Sequence, residues 1–481
     1  MKTDNSSGRV TQHLRRLAGE RAPGARLPSV RALMAELRVS PVTIQKALDT
    51  LVRDGVLDAR PGLGTFVAEP PPAETATPAD LAWQSLALGP ARAIAAGLAG
   101  LLALPSPAAR TLNVAYLPEE MQPTALIAAA SARAVRRPGI WGRMPAEGLP
   151  ALRAWFAART DRAYHPREVT VCPGTQAGIA AAFRALAAPG EPLLVETPTY
   201  LGGLAAAHAA GLRVVPVPTD AEGVRPDLLR EAFQRSGARL FFCQPTFSST
   251  TKAPATAAAS STVLPPERRR AVLEAAAVAG AFVVEDDWAR DFAIDGDPPP
   301  SLASADRDGH VVQVRSLTKC AAPGLRVGAI CARGAALERL RQARMADDFF
   351  VPGILQETAL ELVSAPGWAR HLRALRSGLR QRRDALAAAV RRHLGPEALP
   401  RLPAGGLHLW VALPPGVSDL AVEQRAALRD ILVTAGRHWH PAEAAGAFLR
   451  LSFATADPAW VEPCMAALAE IVREVEGAPI R

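Results

Sequence analysis

Read for the spacing of its apolar positions, the chain changes character near residue 70. Before that point apolar residues recur every three to four positions, the period of a helix that buries one face. The pattern predicts helices at roughly 8–20, 29–37 and 41–54. Ser29 and Ser40 stand as N-caps, where a hydroxyl satisfies a free amide of the first turn, and Pro41 takes the first helical position, which needs no N–H. The short turn RVS separates the second and third helices. After Gly55, VLDARPGLGTFV forms two β-rich pieces around a Gly-rich turn, which predicts a hairpin. Three helices and a hairpin in this order make a winged helix-turn-helix.

AEPPPAETATPAD (68–80) has no apolar period and reads as a semi-extended tether. The organisation expected is a domain at 1–67, a linker with a helical segment at 68–110, and a large domain at 111–481. In the large domain short apolar strands alternate with Ala/Leu/Arg helices, as an α/β fold requires. The fold class is therefore mixed, and 49% hydrophobic residues over 481 positions provide for substantial cores.

Charge adds a partner class. A net charge of +9 and a pI near 9.9 favour a polyanion. The helix starting at Pro41 is placed to enter a DNA major groove with Thr43, Gln45 and Lys46, while Arg60 and the tip Gly62–Gly64 reach the backbone or minor groove. The five cysteines, at 172, 243, 320, 331 and 464, show neither CxxC pairing nor zinc spacing with His, so no metal site is expected and a reducing cytoplasm fits best. MKTDNSSGRV lacks the apolar core of a secretory signal, and AIAAGLAGLLAL stops at Pro105, too short to span a bilayer. A soluble protein is expected.

Candidate chemistry begins with a scarcity. Lysine occurs only at 2, 46, 252 and 319 among 55 basic residues, so charge is supplied by arginine. A primary amine can do what guanidinium cannot: lose its proton and attack a carbonyl. Lys319 closes VVQVRSLTK, and three other apolar runs also end in polar residues: VTVCPGTQAG (169–178), LLVETPTY (193–200) and AFVVEDDW (281–288). Strand ends are where open α/β sheets collect ligands. Together these residues contain the parts of a pyridoxal phosphate site: Lys319 as the catalytic amine, Asp286 as the anion beside the ring nitrogen, Tyr200 as an aromatic face, and Gly174, Thr175, Gln176, Ser316 and Arg326 as a phosphate cup.

Two resemblances support this assembly. LPSVRALMAELRVSPVTIQKALDTLVRDGVLDARPGLGTFV resembles the GntR-type DNA-binding domain through LPS-x-R, VS-x-x-T and G-x-GTFV. That resemblance implies that Arg31, Ser40, Thr43 and Arg60 touch DNA, with Gly64 at the wing tip. Pro41 departs from it, standing where the family commonly has Arg. The large domain resembles type I aminotransferases through GTQ-A, P-x-Y, ED-D, S-x-x-K and the Arg seven residues after the Lys. FLRLSFA (448–454) is similar to the segment whose Arg, here Arg450, grips an amino-acid carboxylate with two hydrogen bonds. Joined in one chain, the two resemble MocR-type regulators, which implies a transcription regulator that binds DNA and senses pyridoxal phosphate or an amino compound. It also implies a homodimer.

The departures fall on one part of the cofactor. Trp288 stands where the family usually has a Tyr meeting the ring oxygen, and QPTFS (244–248) runs into an Ala/Ser/Thr-rich insert at 249–263, expected to be a mobile loop, in place of Asn-Pro-Thr-Gly. Trp141 stands where relatives often have a Tyr reaching the neighbouring subunit's phosphate. Nothing positions Lys252, within the insert. Efficient transamination is therefore not assumed. An active aminotransferase, and a degenerate domain that serves only for dimerisation, stay open beside the regulator.

Overall fold

The computed structural model describes residues 6–69, 80–88, 97–161, 164–248, 263–444 and 446–477, in two compact units that divide between residues 91 and 92. Residues 249–262 of the expected insert, Lys252 among them, and most of the tether lie outside the described residues.

The first unit holds helices α1 (Ser6–Gly19), α2 (Val30–Leu37) and α3 (Pro41–Arg53), then strands β1 (Leu57–Arg60) and β2 (Gly64–Val67). Ser29 Oγ accepts from the Ala32 amide and Ser40 Oγ from the Thr43 amide, each at 3.3 Å, so both expected caps are made. Arg38 ends α2 in the left-handed region, φ 51°, turning the chain into α3. Val10, Leu14, Leu33, Ile44, Leu48, Leu51 and Leu57 form this unit's own core. The hairpin pairs Leu57 with Val67 and is tied down where Leu27 N–H donates to Thr65 O at 2.8 Å.

The second unit has a short helix, Leu98–Leu102, and a short strand, β3 (Arg110–Thr111), ahead of an eight-stranded sheet on which it is built. Its strands are β4 (Val169–Cys172), β5 (Pro192–Thr197), β6 (Arg213–Asp220), β7 (Gly223–Val224), β8 (Leu240–Cys243), β9 (Phe282–Asp286), β10 (Val311–Ser316) and β11 (Gly328–Cys331). Their order is β4-β11-β10-β9-β8-β5-β6-β7, with β5, β6, β8, β9 and β10 parallel and β11 and β7 reversed. Every residue of β4, β8, β10 and β11 is buried, as strands covered on both faces require. Because β5, β8, β9 and β10 run the same way, their carboxyl ends open on one edge, where Tyr200, Gln244, Asp286 and Lys319 follow.

A smaller sheet contains β12 (His408–Ala412), β15 (Phe448–Ser452) and β14 (Thr434–Ala435), with β15 central, while β13 (Ile431–Leu432) pairs with β3. The helices Trp368–Leu394 and Pro458–Glu476 pack together against it. Among the described residues no helix is long and apolar enough to cross a membrane.

Candidate cofactor and carboxylate site

Strand β9 ends in three consecutive acids whose environments separate their roles. Side chains alternate along a strand, so Asp286 faces away from Glu285 and Asp287. Glu285 accepts the amides of Leu302 at 2.9 Å and Ala303 at 3.2 Å. Burial opposes the charge on Asp287, but Arg315 at 2.8 Å and Arg290 at 2.7 Å outweigh it and hold the carboxyl below its ordinary range. Both are thus structural. Asp286 accepts one hydrogen bond, from Gln244 Nε2 at 2.7 Å, and its other oxygen is buried without a partner among the described residues. Burial pushes its pKa up to about 7, against the opposing pull of the Gln244 hydrogen bond and of Lys319.

Lys319 follows β10 by one short turn. Its Nζ donates to Ala115 O at 2.8 Å and lies 4.1 Å from the centre of the Tyr116 ring. Burial first, then repulsion from Arg450 and Arg326, lowers its pKa to about 7, although Asp286 pulls the other way. These electrostatic influences bring Lys319, Asp286, Arg326 and Arg450 into one site. Tyr200 belongs to it as well: burial, then the negative Asp286, raise its hydroxyl above the ordinary value, and its ring is 6.4 Å from that of Trp439.

The residues expected to form a phosphate cup come from three separate stretches. Gly174 precedes the helix Thr175–Leu186 at φ 87°, and a Cβ there would lie 2.8 Å from Arg326 Nη2, so glycine is what lets the guanidinium approach. Arg326 donates to Pro173 O at 3.2 Å. Ser316 is buried, and its hydroxyl, the Thr318 hydroxyl and Gln176 Oε1 are buried without hydrogen-bond partners among the described residues. Gln176 Nε2 meanwhile donates to Gly202 O at 2.8 Å, which holds the helix start against the Tyr200 turn.

Arg450 is no surface arginine at a sheet edge: it is 2% exposed, on the central strand β15. Its guanidinium lies over the Trp439 ring at 4.1 Å and meets His408 Nε2 at 2.6 Å. Burial lowers its pKa to about 9, which leaves it charged at neutral pH. Trp288 is buried between Phe292 and His408, with ring centres 5.9 and 6.1 Å away, and its indole N–H has no partner among the described residues. Sequence reasoning missed Ala115, Tyr116, Gln244, His408 and Trp439. Ala115 contributes only a backbone carbonyl, which carries no side-chain signal.

In the first unit the residues expected to face DNA lie at or near the surface. Arg31, Gln45, Lys46, Arg60 and Gly64 are exposed. Some are already engaged: Ser40 Oγ and Thr43 Oγ1 are 2.9 Å apart, Gln45 donates to Asp49 at 2.9 Å, and Arg60 pairs with Asp58 at 2.9 Å while lying over Phe66 at 4.6 Å.

The aminotransferase class I and II profile matches residues 114–468, and the profile of bacterial regulatory proteins of the gntR family matches residues 7–67. The chain belongs to both families. It has the make-up of MocR-type regulators, a GntR-type DNA-binding unit fused to an aminotransferase-like domain. It is similar to the HTH-type transcriptional regulator TauR of Rhodobacter capsulatus, 30% identical over 95% of this chain and 94% of that protein. It also resembles the probable rhizopine catabolism regulatory protein MocR of Rhizobium meliloti, 27% identical over 79% of this chain and 75% of that one. Among solved structures it resembles the α-aminoadipate aminotransferase LysN of Thermus thermophilus, complexed with N-(5'-phosphopyridoxyl)-L-leucine. That likeness has a TM-score of 0.72 at 27% identity and covers 80% of this chain and 96% of that one.

Pyridoxal phosphate, the cofactor of this fold, fits the residues present. Asp286 has a buried oxygen to accept from a cationic ring N–H, and Ser316 has a buried hydroxyl to meet a phosphate oxygen. Lys319 has an amine whose pKa burial lowers to about 7.

Proposed function

We propose that this regulator reads the state of its large unit through pyridoxal phosphate and a carboxylate-bearing amino compound, and converts it into a change in DNA binding. One observation carries the reading: the lowered amine of Lys319 and the orphaned carboxyl oxygen of Asp286 share a buried site in a chain that also holds a capped recognition helix. Bound pyridoxal phosphate supplies an aldehyde and an electron-withdrawing ring. Lys319, once unprotonated, would offer its amine to that aldehyde, and Asp286 would hold the ring nitrogen's proton. Ser316, Arg326 and the amides of Gly174, Thr175 and Gln176 would hold the phosphate, and Tyr200 would supply an aromatic face. Arg450 grips the carboxylate of the amino compound.

On the DNA side, Thr43, Gln45 and Lys46 reach base edges, while Arg31, Ser40, Arg60 and Gly64 contact the backbone or the minor groove. Pro41 forgoes the contact an arginine there would make. We assign a cytoplasmic homodimer. Trp141, 74% exposed, supports a subunit contact at that segment. Ligand occupancy shifts DNA affinity only by its differential affinity for two arrangements of the protein.

Two measurements test this. The purified chain should turn yellow with pyridoxal phosphate and gain its mass after borohydride reduction, and Lys319→Ala should do neither. Salt-sensitive, sequence-preferring DNA binding should change when an amino compound is added. Sequence-blind binding with an inert cofactor site refutes the reading. Turnover is a second reading that the Lys319 amine favours. Trp288 brings an indole N–H in place of a phenol, and loss of one such donor costs about two to three orders of magnitude in rate, so transamination is expected to be slow.

A further inference from the structure

His408 stands at the start of β12, opposite Ser452 of β15, and Arg450 stands opposite Trp410, so the two side chains are diagonal neighbours on one face of the sheet. Both are 2% exposed. Their contact, Arg450 Nη2 to His408 Nε2 at 2.6 Å, has only one chemically consistent direction. A guanidinium has donors and no acceptor, so Nε2 must offer its lone pair and the ring proton must be on Nδ1. A protonated imidazole could not make this bond. Burial, then the charges of Arg450 and Lys319, hold His408 well below its ordinary pKa, in keeping with a neutral ring.

The arginine is thereby restrained in two directions. Trp439 lies beneath the guanidinium at 4.1 Å and sets its plane; its position is in turn fixed where Thr199 N–H donates to Trp439 O at 2.9 Å. His408 acts within that plane, occupying one N–H and leaving the rotation of the fork defined. A carboxylate held by two parallel hydrogen bonds requires this rotational setting, because a fork free to turn gives up one of the two bonds.

We propose that His408 is a positioning residue for Arg450, and that discrimination between amino acids and plain amines depends on its ring acceptor. The proposal rests on the reading of Arg450 as the carboxylate grip. A phenylalanine in this place would preserve the size and remove the ring acceptor from Arg450 Nη2. A glutamine would restore an oxygen acceptor at about the reach of Nε2.

The test uses the full-length, cofactor-loaded chain and follows the change in cofactor absorbance on titration, a binding readout independent of turnover. Three pairs differ only in the carboxylate: L-alanine and ethylamine, L-leucine and 3-methylbutylamine, L-phenylalanine and phenethylamine. For any pair in which the parent protein prefers the acid, His408→Phe should reduce the preference by about 10- to 100-fold, the range for a hydrogen bond to a charged group. His408→Gln should keep it within about threefold. Arg450→Gln should abolish it. A preference unchanged in His408→Phe, or lost equally in His408→Gln, overturns the positioning role while the Arg450 reading stands. A preference that survives Arg450→Gln, or is absent from all three pairs, overturns the Arg450 reading itself and this proposal with it.

Discussion

Lys319 and Asp286 carry opposite charges in one site, yet burial draws each toward neutrality, with both pKa values near 7. The cofactor-free site therefore holds a cost that a bound ring and phosphate would relieve. For Lys319 the folded value lies below the ordinary 10.5, so between about 7 and 10.5 the unfolded chain binds more protons and this residue's contribution to stability improves as pH rises. Lys319→Met is accordingly expected to raise the melting temperature of the cofactor-free protein at pH 7, by an amount that shrinks toward pH 10. Thermal melts across that range check it, and a variant less stable at pH 7 contradicts it. Cofactor capture has the same sign: the unprotonated amine accumulates above pH 7, so its rate constant should rise from pH 6 to 8 and then level. Stopped-flow absorbance measures this, and a rate falling over that interval would exclude Lys319 as the nucleophile.

At the level of elements, what the chain made legible was local. Ser29, Ser40 and Pro41 marked the starts of two helices because capping acts within one turn, and both caps are present. The strand-end residues were legible because parallel strands deliver their termini to one edge. What escaped depends on register. His408 and Arg450 are 42 residues apart and meet only because β12 pairs with β15. Ala115 reaches Lys319 across 204 residues through a carbonyl that every residue possesses. Asp286 was legible through the ED-D pattern, whereas the partners that separate it from the arginine-bound Asp287 were not. Two substitutions test α3 as the reading element. Gln45→Ala removes one of the base-edge contacts and should weaken specific DNA binding more than nonspecific binding. Arg31→Ala should lower affinity for all sequences and reduce the salt slope by about one unit. Fluorescence anisotropy at several salt concentrations distinguishes them, and identical profiles would contradict the separate roles.

Taken whole, the molecule has two units with separate cores: the small one centred on Leu14, Ile44 and Leu51, the large one covering both faces of the eight-stranded sheet. Each core is closed by its own elements, so heating the full-length chain is expected to give two calorimetric transitions. A ligand that binds only the folded state of one unit stabilises that unit alone. Pyridoxal phosphate at about 100 times its dissociation constant should add about 2.7 kcal/mol to the large unit, visible as an upward shift of one transition. Operator DNA should shift the other. The regulatory reading requires more than this independence, because reciprocity demands that a ligand changing DNA affinity also has its own affinity changed by DNA to the same degree. With operator present, the amino compound's half-saturation should therefore move by the factor by which that compound moves operator affinity. If both ligands bind while neither affinity responds to the other, the large unit holds its cofactor without governing the DNA-binding unit.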